Sequence, residues 1–335
     1  MRKTIKFLLL PVMMVASLSS CSKSQTSYTK VKSDTLFAKK IEGLSDEFIM
    51  GMDVSSVIAE EQSGVKYYDF EGNEADLFKV VHDNGINYIR VRVWNNPYDE
   101  NGNGYGGGNN DIDKAIEIGK RANKYGMKLL VDFHYSDFWA DPKKQFAPKG
   151  WENFSHFERY YAIHDFTLES LQKMKVAGID VGMVQIGNET SGGRIAGYNG
   201  ERADYFAAYI NAAAEAIKEV YPGALKAVHF TNPEAYKNYL DWAKKLDTYK
   251  ADYDVFGTSY YPYWHGTLAN LKSELSKISK NYDKYVMVAE TSYARTFEDG
   301  DGHENTESEK KKSSDTFPYP LGIQGQVTHV RNVVN

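Results

Sequence analysis

Cysteine is nearly absent from this 335-residue chain: Cys21 is the only one, so no disulfide can form within it. Membrane-spanning runs are missing too, because the apolar stretch Phe7 to Leu18 is shorter than the ~20 residues a transmembrane helix needs. After the first strand-like run stands Met52-Asp-Val-Ser-Ser56, not the Gly-x-Gly-x-x-Gly turn of a dinucleotide fold. Positive charge is not in excess: 40 Lys and Arg face 45 Asp and Glu, a net charge of −5, which argues against a nucleic acid or other polyanion as partner. No internal repeat is visible. What remains is a globular composition, 42% hydrophobic, long enough for one large domain or two small ones.

The N-terminus reads as a targeting segment. Met1-Arg2-Lys3-Thr4-Ile5-Lys6 is a basic n-region and Phe7 to Leu18 an apolar h-region, so residues 1–20 are expected to be removed on export. Their loss takes away Arg2, Lys3 and Lys6 and turns −5 into −8. Leu18-Ser19-Ser20-Cys21 resembles a bacterial lipobox, whose cysteine is acylated and becomes the new terminus. An ordinary secretory signal cleaved near Ser20 is the alternative, and the placement of Cys21 favours the lipid anchor. Residues 21–44, rich in Ser, Thr and Lys, then form a solvated tether for a domain over 45–335, on a lipoprotein of the bacterial cell envelope, at its outer surface or below.

From Phe48 onward short apolar runs alternate with stretches of helical period, the pattern of βα units on a parallel sheet. Strands are expected over Phe48–Asp53, Tyr88–Trp94, Lys128–His134, Val181–Asn188, Leu225–Phe230, Asp254–Tyr260 and Tyr285–Glu290. Helices are expected over Glu74–Asn84, Asp111–Tyr125, Phe157–Ala177, Arg202–Tyr221, Lys237–Thr248 and Gly266–Lys280. Several of these stop at a glycine, such as Gly85, Gly126 and Gly178, suited to a left-handed helix cap. The fold class is α/β, a (β/α)8 TIM barrel, whose active site gathers at the C-terminal ends of the strands.

Polar residues cluster at those ends: Asp53; Arg90, Arg92, Trp94 and Asn95; Asp132, His134 and Asp137; Asn188 and Glu189; His229 and Asn232; Tyr260 and Tyr261; and Glu290. A single buried His or Arg is more often a satisfied core residue than a catalytic one, but seven such strand ends are hard to explain as packing. Alternation points Arg90, Arg92 and Trp94 to one face. Glu189 and Glu290 each follow an apolar run, where a charge is costly unless paired or held in a polar cleft. They lie 101 residues apart, about three βα units, which places them after the fourth and seventh strands, facing one another across a closed barrel mouth. Two such carboxylates can cleave a glycosidic bond, with retention or inversion according to their separation. Asn188 suits a hydrogen bond to a sugar 2-hydroxyl, and Arg90 or Arg92 would keep one glutamate ionised while the less solvated one stays protonated.

Four strings carry a specific resemblance: Arg90-Val-Arg-Val-Trp-Asn-Asn-Pro97, Asp132-Phe-His-Tyr-Ser-Asp-Phe-Trp-Ala-Asp-Pro142, Gln185-Ile-Gly-Asn-Glu-Thr190 and Ser259-Tyr-Tyr-Pro-Tyr-Trp264. With Asn188-Glu189 after the fourth strand and Glu290 ending the seventh, the chain resembles glycoside hydrolase family 53, the endo-β-1,4-galactanases, from about Phe48 to the last residue. The resemblance implies a retaining hydrolase acting on the β-1,4-galactan of type I arabinogalactan and pectin, with Glu189 as acid/base and Glu290 as nucleophile. It makes Trp94, Trp139 and Trp264 candidates for stacking on sugar rings, with core or rim packing as the alternative for each.

Asp299-Gly-Asp-Gly-His-Glu-Asn305 places oxygen ligands at alternate positions, which suits a hard cation, although most such clusters are simply solvated. By the resemblance, Asp299, Asp301 and Asn305 bind Ca2+ by side chain and His303 by its carbonyl. No organic cofactor is expected, and the protein is expected to be a monomer. Only seven strands can be read: after Glu290 come the charged Glu307–Lys312 stretch and a helix over Gly325–Val334, so the barrel is expected to end before its eighth strand. Competing expectations are another 4/7-barrel glycanase, such as a mannanase or cellulase, or a surface glycan-binding lipoprotein without catalysis.

Overall fold

The computed structural model describes residues 36–45, 47–299 and 317–335. The signal segment, Cys21 and nearly all of the tether lie outside the described residues, as do Asp301, His303 and Asn305. Residues 38–335 form one compact unit. No helix among the described residues is long and apolar enough to cross a membrane.

Seven strands follow one another with helices between them. They are β1 (Gly51–Asp53), β2 (Tyr88–Val93), β3 (Lys128–Phe133), β4 (Val181–Ile186), β5 (Leu225–Phe230), β6 (Val255–Ser259) and β7 (Tyr285–Glu290). All pair in parallel and in sequence order, β1 to β7. The helices are α1 (Val57–Gln62), α2 (Leu77–Asp83), α3 (Ile112–Lys124), α4 (His156–Val176), α5 (Ala203–Val220), α6 (Tyr236–Thr248), α7 (Leu268–Tyr282) and α8 (Ile323–Val334). Helix α1 was not legible: its Val-Ile-Ala-Glu-Glu-Gln is a single short amphipathic turn that follows β1 directly. The helix expected over Gly325–Val334, read from sequence as the seventh, is therefore the eighth among the described residues and begins at Ile323.

Helix starts follow from capping chemistry. Asp76, Asp111 and Thr267 accept backbone N–H bonds at the starts of α2, α3 and α7, and Ser155 with Glu158 forms a reciprocal capping box at α4. Strands β2, β3, β4 and β6 end one to two residues before the expected apolar runs do, and the residues just beyond, Trp94, His134, Asn188 and Tyr260, stay buried.

The sheet is strongly curled. Arg90 of β2 donates to Glu290 of β7 across 3.0 Å, yet five strand steps in a flat sheet would separate them by ~24 Å. Only a sheet rolled toward itself brings the two together. The interior is layered. Leu130, Met183, Ala227 and Val255 form an apolar floor with Tyr88 and Met287 packed on it. Two residues further along the same strands, on the same face, come Arg90, Asp132, Gln185 and His229, a buried polar layer. A larger apolar cluster fills the space between strands and helices, with Phe78, Ile118, Phe133, Phe206 and Phe256 fully buried in it. Strands β1 and β7 have one partner each among the described residues, and both are the more exposed strands.

Candidate active site

The polar layer is organised by one guanidinium. Arg90 donates to Asp53 Oδ2 at 3.0 Å, Asp132 Oδ2 at 2.8 Å, Gln185 Oε1 at 3.2 to 3.3 Å, Asn188 Oδ1 at 2.9 Å and Glu290 Oε1 at 3.0 Å. Burial alone would disfavour its charge, but Asp132, Glu290 and Asp53 outweigh that and hold it cationic. The same contest sets the carboxylates. Burial pushes Asp132 and Glu290 up, yet Arg90 foremost brings both below the ordinary carboxylate range, helped by the His134 hydrogen bond at Asp132 and the Tyr261 hydrogen bond at Glu290.

Glu290 reaches this layer through an irregularity in pairing. Gly257 pairs with Met287 and Thr258 with Val288, but Ser259 pairs with Glu290, so the ladder skips Ala289. The extra residue turns the Glu290 side chain to the interior, where strict alternation from Met287 would have aimed it outward. Tyr261 then donates to Glu290 Oε2 at 2.9 Å. Burial and the Glu290 charge keep the Tyr261 phenol protonated, its pKa well above the ordinary value.

Glu189 is placed differently from the reading of a strand tip. Strand β4 ends at Ile186, and Gly187, Asn188 and Glu189 continue as a tight turn with φ of +81° at Gly187 and +46° at Glu189. A left-handed backbone at a non-glycine residue costs of order 1–3 kcal/mol and persists only where surroundings impose it. Here Thr190 N–H and its hydroxyl both donate to the His229 carbonyl, at 2.8 and 2.9 Å, and Gln145 holds the Asn188 carbonyl at 2.8 Å. The Glu189 carboxylate accepts from Ser259 Oγ at 2.7 Å. Burial, then the nearby Glu290 charge, pushes Glu189 up to about 7. Two glutamates of one site thus carry opposite protonation at mildly acid pH, and both line one open cleft of about 850 Å3.

The remaining expected site residues divide. Asp53, Arg90, Asn188, His229 and Tyr261 meet in the network around the two glutamates. Asn188 Nδ2 donates one bond to the Ala140 carbonyl at 2.8 Å. His134 sits behind the site, bonded to Asp132 at 3.0 Å and taking hydrogens from Trp94 Nε1 and Ala140 N. Arg92 is not beside Glu290: it stacks on Trp139 at 4.1 Å, donates to the Gly107 carbonyl at 2.6 Å and is 3.9 Å from Asp53. Trp94 is completely buried against Phe138 and Trp139, so it offers no face to a sugar, and of its two readings the structure supports packing. Trp139 and Trp264 are 40% and 44% exposed and line the cleft. Asp137 joins two loops through the N–H groups of Asn96 and Lys149, and Asn95 donates its N–H to Ser136; neither has a bond to the network. Tyr260 turns away, giving its hydroxyl to the Gly266 carbonyl and stacking near His329. Of the proposed cation ligands only Asp299 is described.

Two residues of the network carried no assignment from sequence. Gln185 bridges Arg90 and Asp132, and Ser259 bridges Glu189 and His229. Both stand in strings that carry the family resemblance; a glutamine inside an apolar strand was a usable signal, whereas a lone serine at a strand end is unremarkable.

A family model described as glycosyl hydrolase family 53 matches residues 49–335. The chain is 53% identical to an endo-β-1,4-galactanase of Bacillus subtilis over 308 residues, 91% of this chain and 70% of that protein. It is 33% identical to an arabinogalactan endo-β-1,4-galactanase of Thermothelomyces thermophilus, over 85% of this chain and 83% of that one. Among solved structures it resembles the family 53 catalytic domain of Ignisphaera aggregans, with a TM-score of 0.84, 37% identity and coverage of 89% of this chain and 83% of that one. A fungal β-1,4-galactanase structure follows at 0.72 and 32% identity, covering 84% and 83%.

The raised Glu189 gives a stability test. Its folded pKa lies near 7, above the ordinary 4.5, so ionising it disfavours the fold. That cost is absent below pH ~4.5, grows through pH 7 and is complete above it. Glu189→Gln should leave urea stability nearly unchanged at pH 4.5 and raise it by ~1–3 kcal/mol at pH 8.5. An equal effect at both pH values contradicts the assignment.

Proposed function

The chain belongs to glycosyl hydrolase family 53, and from that premise we propose that it is an endo-β-1,4-galactanase that cleaves by double displacement with retention. The observation that carries the reading is the pair of glutamates in one cleft, Glu290 held ionised by Arg90 and Glu189 held protonated by burial. A Glu290 carboxylate oxygen attacks the anomeric carbon, and the bond from that carbon to the leaving oxygen breaks as Glu189 gives that oxygen its proton. Water then loses a proton to Glu189 while its oxygen bonds to the anomeric carbon, which releases Glu290. Arg90 and Tyr261 stabilise the Glu290 carboxylate before attack and after release. Asn188, with an amide hydrogen beyond the one given to Ala140, is assigned to the sugar 2-hydroxyl. Trp139 and Trp264 are assigned to stacking on pyranose faces, which bury apolar C–H surface against an aromatic ring.

The substrate assigned is linear β-1,4-galactan of the kind found in type I arabinogalactan and pectin side chains. The same reading includes export, a lipid anchor at Cys21, and a Ca2+ held by Asp299, Asp301, Asn305 and the His303 carbonyl, where the cation would tie the loop after β7. The protein is assigned as a monomer.

Hydrolysis of linear β-1,4-galactan followed by 1H NMR should show the β-anomer as the first product, with mutarotation later. An initial α-anomer, or faster cleavage of mannan or β-glucan, contradicts the reading. Glu290→Gln should abolish turnover while galactan binding stays within a few-fold, and Glu189→Gln should lower kcat by ~10²- to 10⁴-fold. Wild-type protein that binds galactan without cutting it would favour a binding role instead. For the cation, a chelator should lower the melting temperature and added Ca2+ restore it; no change with either removes the metal assignment.

A further inference from the structure

Between Glu189 and the Arg90 network stands a pair of groups to which the double displacement gives no part. Ser259 Oγ lies 2.7 Å from Glu189 Oε1 and 2.9 Å from His229 Nε2, and both Ser259 and His229 are fully buried. We propose that His229 and Ser259 form a one-way hydrogen-bond relay that commits Glu189 Oε1 to accepting, so that the acid proton is carried on Oε2 in both half-reactions. The proposal rests on Glu189 being the acid/base.

The direction follows from what surrounds the imidazole. His229 Nδ1 faces the Glu189 backbone N–H at 3.3 Å, a donor that cannot be reversed. It also faces Gln185 Nε2 at 3.0 Å. That amide cannot be flipped either: its Oε1 accepts from Arg90, and its Nε2 donates to Asp132 Oδ1 at 2.6 Å. Gln185 Nε2 has one hydrogen beyond that bond, shared among His229 Nδ1, Asn188 Oδ1 and the Gly187 carbonyl, while Asn188 Oδ1, 2.9 Å from Nδ1, accepts from the Arg90 guanidinium at 2.9 Å. With donors on that side, Nδ1 presents a lone pair and the ring hydrogen sits on Nε2. Burial first, and the Arg90 charge among its neighbours, lowers His229 to about 4, so the ring is neutral wherever Glu189 works. Nε2–H donates to Ser259 Oγ, whose one hydrogen is left for Glu189 Oε1.

Two consequences follow. The carbonyl oxygen of a carboxylic acid accepts better than its hydroxyl oxygen, so the Ser259 donation to Oε1 favours the acid proton on Oε2. After Glu189 gives its proton away, the Ser259 donation stabilises the carboxylate that remains. Glu290 across the cleft, Asp141 in the loop after β3 and Tyr261 beside Ser259 also face Glu189, and Thr231 is a further hydroxyl donor. Thr231 is itself bonded to the buried His265 Nε2 at 3.3 Å, and Ser259 makes the short bond to Oε1, 2.7 Å. The end of β6 and the turn after it therefore serve both glutamates: Ser259 holds Glu189, and Tyr261, two residues on, holds Glu290.

The test compares wild type with Ser259→Ala, Ser259→Cys and Ser259→Thr in the full chain, by the pH profile of kcat/KM on galactan. Loss of the donated hydrogen should move the basic limb up by ~0.5–1 pH unit in Ser259→Ala, with a smaller move in the cysteine variant and restoration in the threonine variant. A purely structural serine would lower kcat/KM without moving the limb. Titration of the Glu189 carboxyl by 13C NMR in wild type and Ser259→Ala reads the same shift without turnover, so it decides the relay even if galactan proves not to be the substrate. An unmoved limb and an unmoved carboxyl titration in Ser259→Ala overturn the relay, while wild type inactive on galactan overturns the function and not the relay.

Discussion

The Arg90 guanidinium is the constraint on which the rest depends. It is a single buried cation shared among Asp53, Asp132 and Glu290, with two amide oxygens completing its shell. Taking such charges out of water costs several kcal/mol per ion, and removing one partner of a buried pair commonly costs about 3–5 kcal/mol. The arrangement is therefore weak evidence for stability and strong evidence for a charge pattern that the fold was built to hold. Its geometry also fixes the curl of the sheet, because one guanidinium cannot reach β1, β3, β4 and β7 together unless those strands surround it.

From that centre the two glutamates acquire different chemistry by different local means. Glu290 is bent into the layer by a skipped residue in the β6 to β7 ladder and meets Arg90 and Tyr261 directly. Glu189 is lifted onto a strained turn beyond β4, outside direct reach of the cation, where burial and the Glu290 charge keep its proton on. The separation of roles comes from where the backbone irregularities fall. The exposed aromatic surfaces of Trp139 and Trp264 then flank the cleft, and Arg92, stacked on Trp139 and 3.9 Å from Asp53, supports that rim without bonding either glutamate.

Much of this was legible because buried parallel strands read as short apolar runs, and polar residues at their ends stand out. Leu225–Phe230 and Tyr285–Glu290 match to the residue, Glu189 and Glu290 stood out as costly charges after such runs, and Asn188 and Arg90 as polar residues beside them and on the inward face. The rest depended on facts that periodicity does not encode. Alternation put Arg90 and Arg92 together, but a stacking partner 47 residues later in sequence, Trp139, drew Arg92 aside. Trp94 and Tyr260 occupy strand ends as expected yet turn into packing, since a strand end sets a position and neighbours set the direction. The skipped residue before Glu290, the left-handed Glu189 and the bridging Ser259 arise from tertiary fit, and no local pattern announces them.

The central claim is that one site holds a protonated glutamate and an ionised one, divided by their distance from a buried arginine. Neutron diffraction from perdeuterated crystals at pH 6 sees those protons directly. The account predicts a deuteron on Glu189, on the oxygen turned away from Ser259, and none on Glu290. A deuteron on Glu290, or bare carboxylates at both positions, would contradict it.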